Sequence, residues 1–109
     1  MSRITTHVLD AVLGRPAEGI AIRLEAARGD AWVVIRASAT DDDGRCRDLA
    51  SNAEPGTYRL VFATGAYLDL MRRKSIYPEI SVTFRCDGAG HYHLPLLLSD
   101  NSYTTYRGS

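Results

Sequence analysis

The amino-acid sequence predicts an all-β fold, a sandwich or barrel of about eight strands with one short helix. Short segments alternate apolar with polar residues, as residues 20–25 do. Turns containing glycine or proline separate these segments at the spacing typical of sandwiches and barrels. Only residues 66–73 show the spacing of a helix. The 109 residues match the length of one domain, which we place at residues 1–109.

The strands follow one another between turn signals. The first strand carries Thr5, His7 and Leu9 on one face, because successive side chains of a strand alternate between faces. The helix offers Leu68 and Met71 to the sandwich. The strands are expected at residues 4–11, 20–25, 31–37, 45–49, 57–62, 79–84, 91–98 and 102–107.

The charge balance argues against nucleic acid and membranes as partners. The 13 Lys and Arg residues offset 13 Asp and Glu residues, so the formal net charge is +0, whereas both partners require a concentrated basic surface. The one dense basic run is Arg72-Arg73-Lys74. It lies where the helix is expected to end, and cations there complement the helix dipole. We therefore interpret the run as a helix end and not as a binding patch.

The two cysteines predict a reducing compartment. Cys46 and Cys86 lack the spacing of a metal site or a redox motif, so we expect two buried thiols and no disulfide. No stretch is long and apolar enough for a membrane span, and no signal peptide is recognisable. The prediction is a cytoplasmic protein, or a periplasmic one if a leader has been removed.

An acidic turn at residues 41–44 is one of two candidate metal sites. Its sequence, Asp-Asp-Asp-Gly, offers the carboxylate oxygens that calcium prefers. It lacks the extended ligand spacing and the distal glutamate of an EF-hand. We therefore interpret the segment as a solvated turn in which Gly44 takes a positive φ.

The second candidate metal site is His91-Tyr92-His93, which places two imidazoles on one face of a strand. Such a pair can bind zinc, and His7 is a conceivable third ligand. Arg45 and Arg107 are expected in the same region, and a guanidinium beside a dication is unfavourable. The sequence therefore favours a site without metal. Individually, these histidines and arginines are more often structural or solvated than catalytic.

The sequence around these residues resembles the transthyretin superfamily. The segments HVLD and GRPA within residues 7–17 are similar to its opening signature. Residues 91–99 (HYHLPLLLS) and 102–109 (SYTTYRGS) are similar to its closing signature. Residues 40–45 and 77–84 also match in order, so the resemblance covers essentially the whole chain. It implies a transthyretin-like β-sandwich of two four-stranded sheets.

Within the superfamily, the chain resembles the 5-hydroxyisourate hydrolases more than the vertebrate hormone carrier. The hydrolases have histidine at the position of His7, where the carrier has lysine. They also share the His-Tyr-His segment and end in Tyr-Arg-Gly-Ser, as residues 106–109 do. Asp100 is a departure, because the family commonly has proline there. We expect it to loosen one hairpin turn without touching a catalytic position.

The resemblance implies a set of site residues and an assembly. The implied catalytic residues are His7, Arg45, His93 and Ser109, and the implied substrate-binding residues are Arg107, Tyr106 and His91. No metal or cofactor is implied. The implied assembly is a homotetramer, a dimer of dimers with the sites at the subunit interface.

The implied reaction opens the six-membered ring of 5-hydroxyisourate in urate degradation, a branch of purine metabolism, to give 2-oxo-4-hydroxy-4-carboxy-5-ureidoimidazoline. A neutral imidazole, whose ordinary pKa is about 6.5, can take a proton from water that attacks a ring carbonyl. Arg45 stays protonated and offers a planar fork to oxygen atoms. We expect His7 to be the base and His93 its partner. Ser109 contributes its hydroxyl or its carboxylate and is not a covalent nucleophile.

Two other functions are compatible with parts of the sequence. A transthyretin-like carrier would bind a small ligand in the same tetramer channel, but a channel lined by histidines and arginine is too polar for an apolar hormone. A structural or adhesive sandwich of the immunoglobulin type needs none of the site residues, and the cysteines do not show its core disulfide pattern.

Overall fold

The computed structural model describes all 109 residues and is built almost entirely of strands. All eight predicted strands are present, together with a two-residue strand, so the all-β prediction is confirmed. The strands are β1 (Ser2–Asp10), β2 (Arg15–Pro16), β3 (Ala21–Arg28), β4 (Ala31–Ala39), β5 (Arg45–Ala53), β6 (Gly56–Phe62), β7 (Ile80–Cys86), β8 (His91–Leu98) and β9 (Tyr103–Thr105). The helix α1 (Thr64–Leu70) follows β6.

The strands form two sheets that enclose the core. One sheet has the order β4-β3-β6-β7, and the other contains β2, β1, β8 and β9 with β5 also paired to β1. The second sheet therefore has five strands instead of the expected four. The extra strand is β2, whose two residues pair with Leu9 and Asp10 at the end of β1. The sandwich prediction is otherwise confirmed.

The hydrophobic core consists of 19 buried residues drawn from both sheets. Alternation along a strand places one side chain in two on the inner face, and the core residues that lie in strands come from β1, β3, β5, β6, β7 and β8. A fully buried aliphatic or aromatic side chain of this kind stabilises the fold by about 1.5–3 kcal/mol. The largest of these side chains are those of Phe62, Ile4, Ile20, Ile22, Leu24, Leu49, Leu60, Leu68, Leu96 and Leu98.

The pairing of β1 with its two neighbours brings distant residues together on the outer face. Strand β8 runs parallel to β1, and Thr5 lies opposite His93 in this register. Strand β5 runs antiparallel on the other side of β1, with His7 opposite Arg45. Thr5 and His7 share the face that points away from the core, because the residue between them on β1 points inward. Residues from three strands therefore meet at one surface.

The helix is shorter and begins earlier than predicted. It spans Thr64–Leu70 and not residues 66–73, with Leu68 buried as expected and Met71 only partly buried. The chain leaves the helix at Arg72, whose φ of 55° lies in the left-handed region that interrupts a helix. The basic run therefore follows the helix and contributes no residue to its last turn.

Arg73 is not a solvated helix-end cation, which corrects our interpretation of the basic run. Its guanidinium donates from Nη1 to Asp10 Oδ2 at 2.6 Å and from Nη2 to Asp10 Oδ1 at 3.1 Å. It also donates from Nε and Nη2 to Asp100 Oδ1, at 2.9 and 2.6 Å. Asp100 consequently anchors the β8–β9 hairpin to the segment after the helix, and the expected loosening of this turn is wrong.

The carboxyl group of Asp10 is the buried centre of this network. Tyr67 donates its hydroxyl to Asp10 Oδ2 at 2.9 Å, and the backbone N–H groups of Val12 and Leu13 donate to Oδ1 at 3.1 Å each. Burial by itself raises the pKa of Asp10, but the hydrogen bonds from Arg73, Leu13 and Tyr67 outweigh it and hold the pKa below 3.8. Asp10 is therefore ionised at neutral pH.

Two further predictions can be compared with the structure. Cys46 and Cys86 are both free and buried, as expected. A helix long and apolar enough to cross a lipid bilayer is absent from the structure.

Candidate active site

A small polar cavity lies on the outer face of the β5-β1-β8-β9 sheet. Its volume is about 220 Å³, and no hydrophobic residue forms part of its wall. A larger cleft of about 520 Å³ between β4 and β5 is lined half by apolar residues and contains no histidine. Two of the three histidines of the chain, His91 and His93, line the small cavity. Its lining residues are Arg3, Thr5, Thr6, Arg45, Arg47, His91, His93 and Ser109.

Thr5 joins the two histidines of β8. Its hydroxyl oxygen lies 2.7 Å from Nε2 of His91 and 2.7 Å from Nδ1 of His93. The parallel register places the three side chains on the same face, since Thr5 lies opposite His93. A hydroxyl has one proton to donate and can accept others. At most one imidazole can therefore accept from Thr5, so at least one imidazole donates to it.

His93 is the histidine whose environment most clearly favours the neutral form. Burial lowers its pKa below 6.5, because a desolvated imidazolium is unfavourable, and the positive charges of His91, Arg45 and His7 lower it further. Thr5 is the sole hydrogen-bond partner of the ring. Nε2 of His93 therefore has no partner within the protein, and it can take a proton when the neutral ring carries its own proton on Nδ1.

His7 lies beside the cavity and does not line it. Its Nε2 is 2.8 Å from the carbonyl oxygen of Asp43. A carbonyl can only accept, so Nε2 of a neutral His7 carries the proton and Nδ1 is the free acceptor. The acidic turn thus fixes the tautomer of His7. His7 lies two residues beyond Thr5 on β1, and Thr5 is opposite His93.

The cavity is strongly biased toward positive charge. Arg3, Arg45 and Arg47 line it, and no acidic side chain does. Arg47 is paired with Asp41, whose Oδ2 lies 3.2 Å from Nη1, whereas Arg3 and Arg45 take part in none of the ion pairs of the chain. Two guanidiniums are therefore free to bind an anion or a carbonyl oxygen.

The acidic turn uses its carboxylate for its own backbone. Oδ1 of Asp41 accepts from the backbone N–H groups of Asp43 and Arg45, both at 2.9 Å. Gly44 has a φ of 74°, which confirms the positive φ predicted for it. The turn therefore begins β5 and places Arg45 at the site. This agrees with the interpretation of residues 41–44 as a solvated turn.

The C-terminus reaches the site through a backbone bridge. The N–H of Gly108 donates to the carbonyl of His93 at 2.7 Å, and the two residues form an isolated β-bridge. Ser109 follows directly and lines the cavity. Although chain ends are usually frayed, this one is tied to the strand that carries both cavity histidines.

Arg107 and Tyr106 lie outside the cavity wall. The guanidinium of Arg107 stacks on the ring of Tyr92, 4.0 Å from its centroid, and its Nη2 is 3.4 Å from the carbonyl oxygen of His91. Tyr106 is 53% exposed. In this geometry Arg107 fastens the terminal segment to β8, and neither side chain reaches the two imidazoles.

The arrangement does not bring three metal ligands together. No group of three or more His, Cys, Asp or Glu side chains lies close enough to hold one ion. His7 bonds to Asp43, while His91 and His93 bond to Thr5. The zinc site that the sequence left open, with His7 as third ligand, is therefore not assembled here.

Comparison with known proteins places the chain in a family. The family model described as the HIUase/Transthyretin family matches residues 4–108. The chain belongs to this family. The 5-hydroxyisourate hydrolase of Mus musculus is 44% identical to it over 113 residues, which cover 99% of this chain and 96% of the mouse protein. The 5-hydroxyisourate hydrolase of Salmonella dublin is 40% identical over 109 residues, 97% of this chain and 80% of the relative.

Solved structures that resemble this chain include both a 5-hydroxyisourate hydrolase and transthyretins. The 5-hydroxyisourate hydrolase of Klebsiella pneumoniae superimposes with a TM-score of 0.89 at 33% identity and full coverage of both chains. The transthyretin of Sparus aurata superimposes with a TM-score of 0.92 at 33% identity, covering 97% of this chain and 96% of that one. Backbone similarity therefore does not distinguish the two kinds of protein. Only the side chains of the cavity can distinguish them.

Four lining residues of this family member had no role in the sequence-based prediction, namely Arg3, Thr5, Thr6 and Arg47. Thr5 was placed on the face of His7 and Arg47 on the side of Arg45, both without a function. The signal for Thr5 and Arg3 is the alternation of β1, which puts Arg3, Thr5 and His7 on one face. This alternation alone does not assign a role to Arg3 or Thr5. Only the register of β1 with β8 places Arg3 opposite His91 and Thr5 opposite His93.

Proposed function

We propose that this protein hydrolyses 5-hydroxyisourate in purine catabolism, without metal or cofactor. The observation that carries the proposal is the polar cavity in which two linked imidazoles, a free Arg45 and the chain terminus Ser109 meet. The names and the 40% and 44% identities of the bacterial and mouse relatives support the same substrate. A small, planar, carbonyl-rich ring suits a cavity of about 220 Å³.

The reaction needs a base, an oxyanion binder and a proton donor. Water adds its oxygen to a carbonyl carbon of the six-membered ring, and one proton of the water passes to the base. The bond between that carbon and the neighbouring ring nitrogen then breaks. The nitrogen leaves with a proton, and the carbon becomes the carboxylate of 2-oxo-4-hydroxy-4-carboxy-5-ureidoimidazoline.

We assign the role of base to His93, which reverses the order expected from the sequence. His93 lines the cavity, and burial with its positive surroundings keeps its pKa below 6.5. His7 is held by Asp43 at the edge of the cavity. A base within the wall can reach the attacking water, whereas His7 lies outside the wall and its Nε2 is engaged with the carbonyl of Asp43. General-base catalysis of this kind contributes about 10²- to 10⁴-fold.

Arg45 and Ser109 complete the proposed site. Arg45 has no acidic partner, so its planar guanidinium is free to bind the oxygen that becomes negative in the tetrahedral intermediate. Ser109 lines the same cavity and binds the ring of the substrate through its hydroxyl or terminal carboxylate. Arg107, Tyr106 and His91 remain predicted to contribute to binding, Arg107 by fastening the terminal segment to Tyr92.

A homotetramer, a dimer of dimers with sites at the subunit interface, is part of the proposal. The cavity opens at the outer face of a sheet, and β7 and β9 are edge strands, each paired on one side only. Tyr77 and Tyr103 pack edge-on with their ring centroids 6.0 Å apart, although they are 36% and 41% exposed. An exposed edge strand invites unwanted pairing with other chains. A partner subunit that covers both edges prevents such pairing. Sedimentation tests the assembly, and an active monomer would contradict it. The two free thiols suit a cytoplasmic setting.

A carrier function in the same fold is the alternative. Transthyretin from sea bream has been solved in complex with thyroxine and superimposes with a TM-score of 0.93. The cavity of this chain has no apolar lining residue, however, and an apolar ligand gains little free energy in such a site. The hydrolase function is therefore favoured.

The decisive experiment follows the ultraviolet decay of 5-hydroxyisourate, generated from urate with urate oxidase. We expect decay that depends on the protein and that returns to the spontaneous rate when residues 107–109 are deleted. A matched control removes an exposed side chain away from the site, such as Arg85→Ala on β7. Spontaneous decay in the presence of a folded wild-type assembly would refute the hydrolase and favour the carrier.

A further inference from the structure

We propose that Thr5 is a positioning residue that couples His91 to His93 and relays a proton between them. The proposal deepens the proposed function and rests on it for its catalytic part. Thr5 is 4% exposed, and its hydroxyl lies 2.7 Å from one nitrogen of each ring. A buried hydroxyl held by two imidazoles on an otherwise outward-facing strand position has no role in the core.

Two proton arrangements leave both rings neutral and make the hydroxyl a donor to one ring and an acceptor from the other. In the first, Thr5 donates to Nε2 of His91 and accepts from Nδ1 of His93. Both rings are then Nδ1–H tautomers, and Nε2 of His93 is a free base. In the second, Thr5 donates to Nδ1 of His93 and accepts from Nε2 of His91. Both rings are then Nε2–H tautomers, and His93 has no free basic nitrogen. The first arrangement is the one competent for catalysis.

The hydrogen-bonded set of His93, Thr5 and His91 can also relay a proton that is taken from water. When Nε2 of His93 takes a proton from water, its Nδ1 proton passes to the oxygen of Thr5 as the hydroxyl proton of Thr5 passes to Nε2 of His91. The charge then resides on His91, which is exposed, while His93 is neutral and carries its proton on Nε2. The reverse shift lets His93 give that proton to the departing ring nitrogen.

The surroundings explain why such a relay is useful. Arg45, Arg3 and Arg47 line the cavity and His7 lies beside it, so an imidazolium at His93 adds to existing positive charge. His91 lines the same cavity and lies opposite Arg3, but it is exposed whereas His93 is half-buried, so water stabilises the charge better on His91. Thr5 acts through the two rings and is not proposed to contact the substrate.

The first test reads the tautomers directly and does not depend on activity. Long-range ¹H–¹⁵N correlation spectra of the labelled protein, at a pH where both rings are neutral, should show His91 and His93 as Nδ1–H tautomers. Thr5→Val should release both rings toward the Nε2–H form. Thr64→Val is the matched control, because the Thr64 hydroxyl is buried without a partner and its removal should leave the spectra unchanged. Wild-type rings in the Nε2–H form would overturn the proposal.

The second test reads catalysis. Thr5→Val should lower kcat about 10- to 100-fold with KM within about twofold, since general acid–base transfer is worth about 10²-fold or more. Thr5→Ser keeps the hydroxyl and should retain activity within about threefold. A Thr5→Val enzyme with wild-type kcat, or a Thr5→Ser enzyme as slow as the valine variant, contradicts the relay. If the wild type does not hydrolyse 5-hydroxyisourate, the proposed function fails while the spectra still decide the coupling.

Discussion

Gly108 lies directly against the imidazole of His93. A Cβ built at residue 108 would stand 2.8 Å from Cδ2 of His93, while the N–H of Gly108 donates to the carbonyl of the same residue at 2.7 Å. The glycine of the terminal Tyr-Arg-Gly-Ser therefore serves close approach and not a special backbone conformation. Any side chain at this position must push the ring away or detach the terminus.

Gly108→Ala should lower kcat/KM about 10- to 100-fold with little change in the free energy of unfolding. A displacement of about 1 Å at a reacting group can cost about 10²-fold in rate, whereas the terminal segment lies outside the hydrophobic core. Gly56→Ala is the control, because a Cβ there meets only an ordinary contact at 3.8 Å. The two variants are compared by steady-state kinetics and chemical denaturation. Equal activity of the two would contradict the close packing.

The pH dependence of kcat/KM should report His93. The base works when neutral, and burial with its positive neighbours lowers its pKa below 6.5. The acid limb of the profile should therefore have its midpoint below 6.5, with activity retained as the pH falls through the range in which an exposed histidine titrates. Arg45→Gln removes one positive neighbour and should move the limb upward. A midpoint above 6.5 in the wild type would exclude His93 as the base.

Arg45→Lys should lower kcat about 10²- to 10³-fold, which is the usual cost of losing one donor to a developing oxyanion. Lysine keeps the charge but loses the planar fork that binds oxygen atoms in two places. Arg85→Lys, on β7 and away from the cavity, provides the matched change and should keep full activity. Retention of kcat within about threefold by Arg45→Lys would show that charge alone suffices.

Arg73→Met should destabilise the fold by about 3–5 kcal/mol, because it leaves the buried carboxylate of Asp10 without its partner. Asp100→Asn should cost about 1 kcal/mol or less, because its side chain is 36% exposed and solvent screens the pair. Arg36→Met breaks a pair whose side chains are 50% and 54% exposed and should change stability by about 0.5 kcal/mol at most. Urea unfolding of the three variants ranks them, and equal losses would refute the network.

The buried carboxyl group of Asp10 should also make the free energy of unfolding depend on pH. The pKa of Asp10 in the folded protein lies below the ordinary value of 3.8, so the unfolded chain binds a proton more readily than the folded one. The stability from this group is present above pH 3.8 and is lost as the pH falls through the lower folded value. Denaturation curves of Asp10→Asn should therefore vary less with pH in the acid range than those of the wild type.

The sequence by itself determined the element types and much of the site. Period-2 alternation together with turn signals identified all eight principal strands, and the acidic turn predicted the positive φ of Gly44. The family resemblance identified His93, Arg45 and Ser109, which do line one cavity, and His7, which does not line it. Local chemistry suffices for these features because each is encoded within a few neighbouring residues.

Tertiary structure alone decided the partners of those residues. Thr5 and His93 are 88 positions apart, and only the parallel register of β1 with β8 makes them neighbours. Arg73 was interpreted as a helix-end cation, and Asp100 was expected to loosen its turn. The two residues instead form an ion pair, although they are 27 positions apart in the sequence. No local pattern specifies which distant strand pairs with β1 or which carboxylate a guanidinium finds. Both are settled by the collective packing of the two sheets, where burial and charge compensation act between segments remote in sequence.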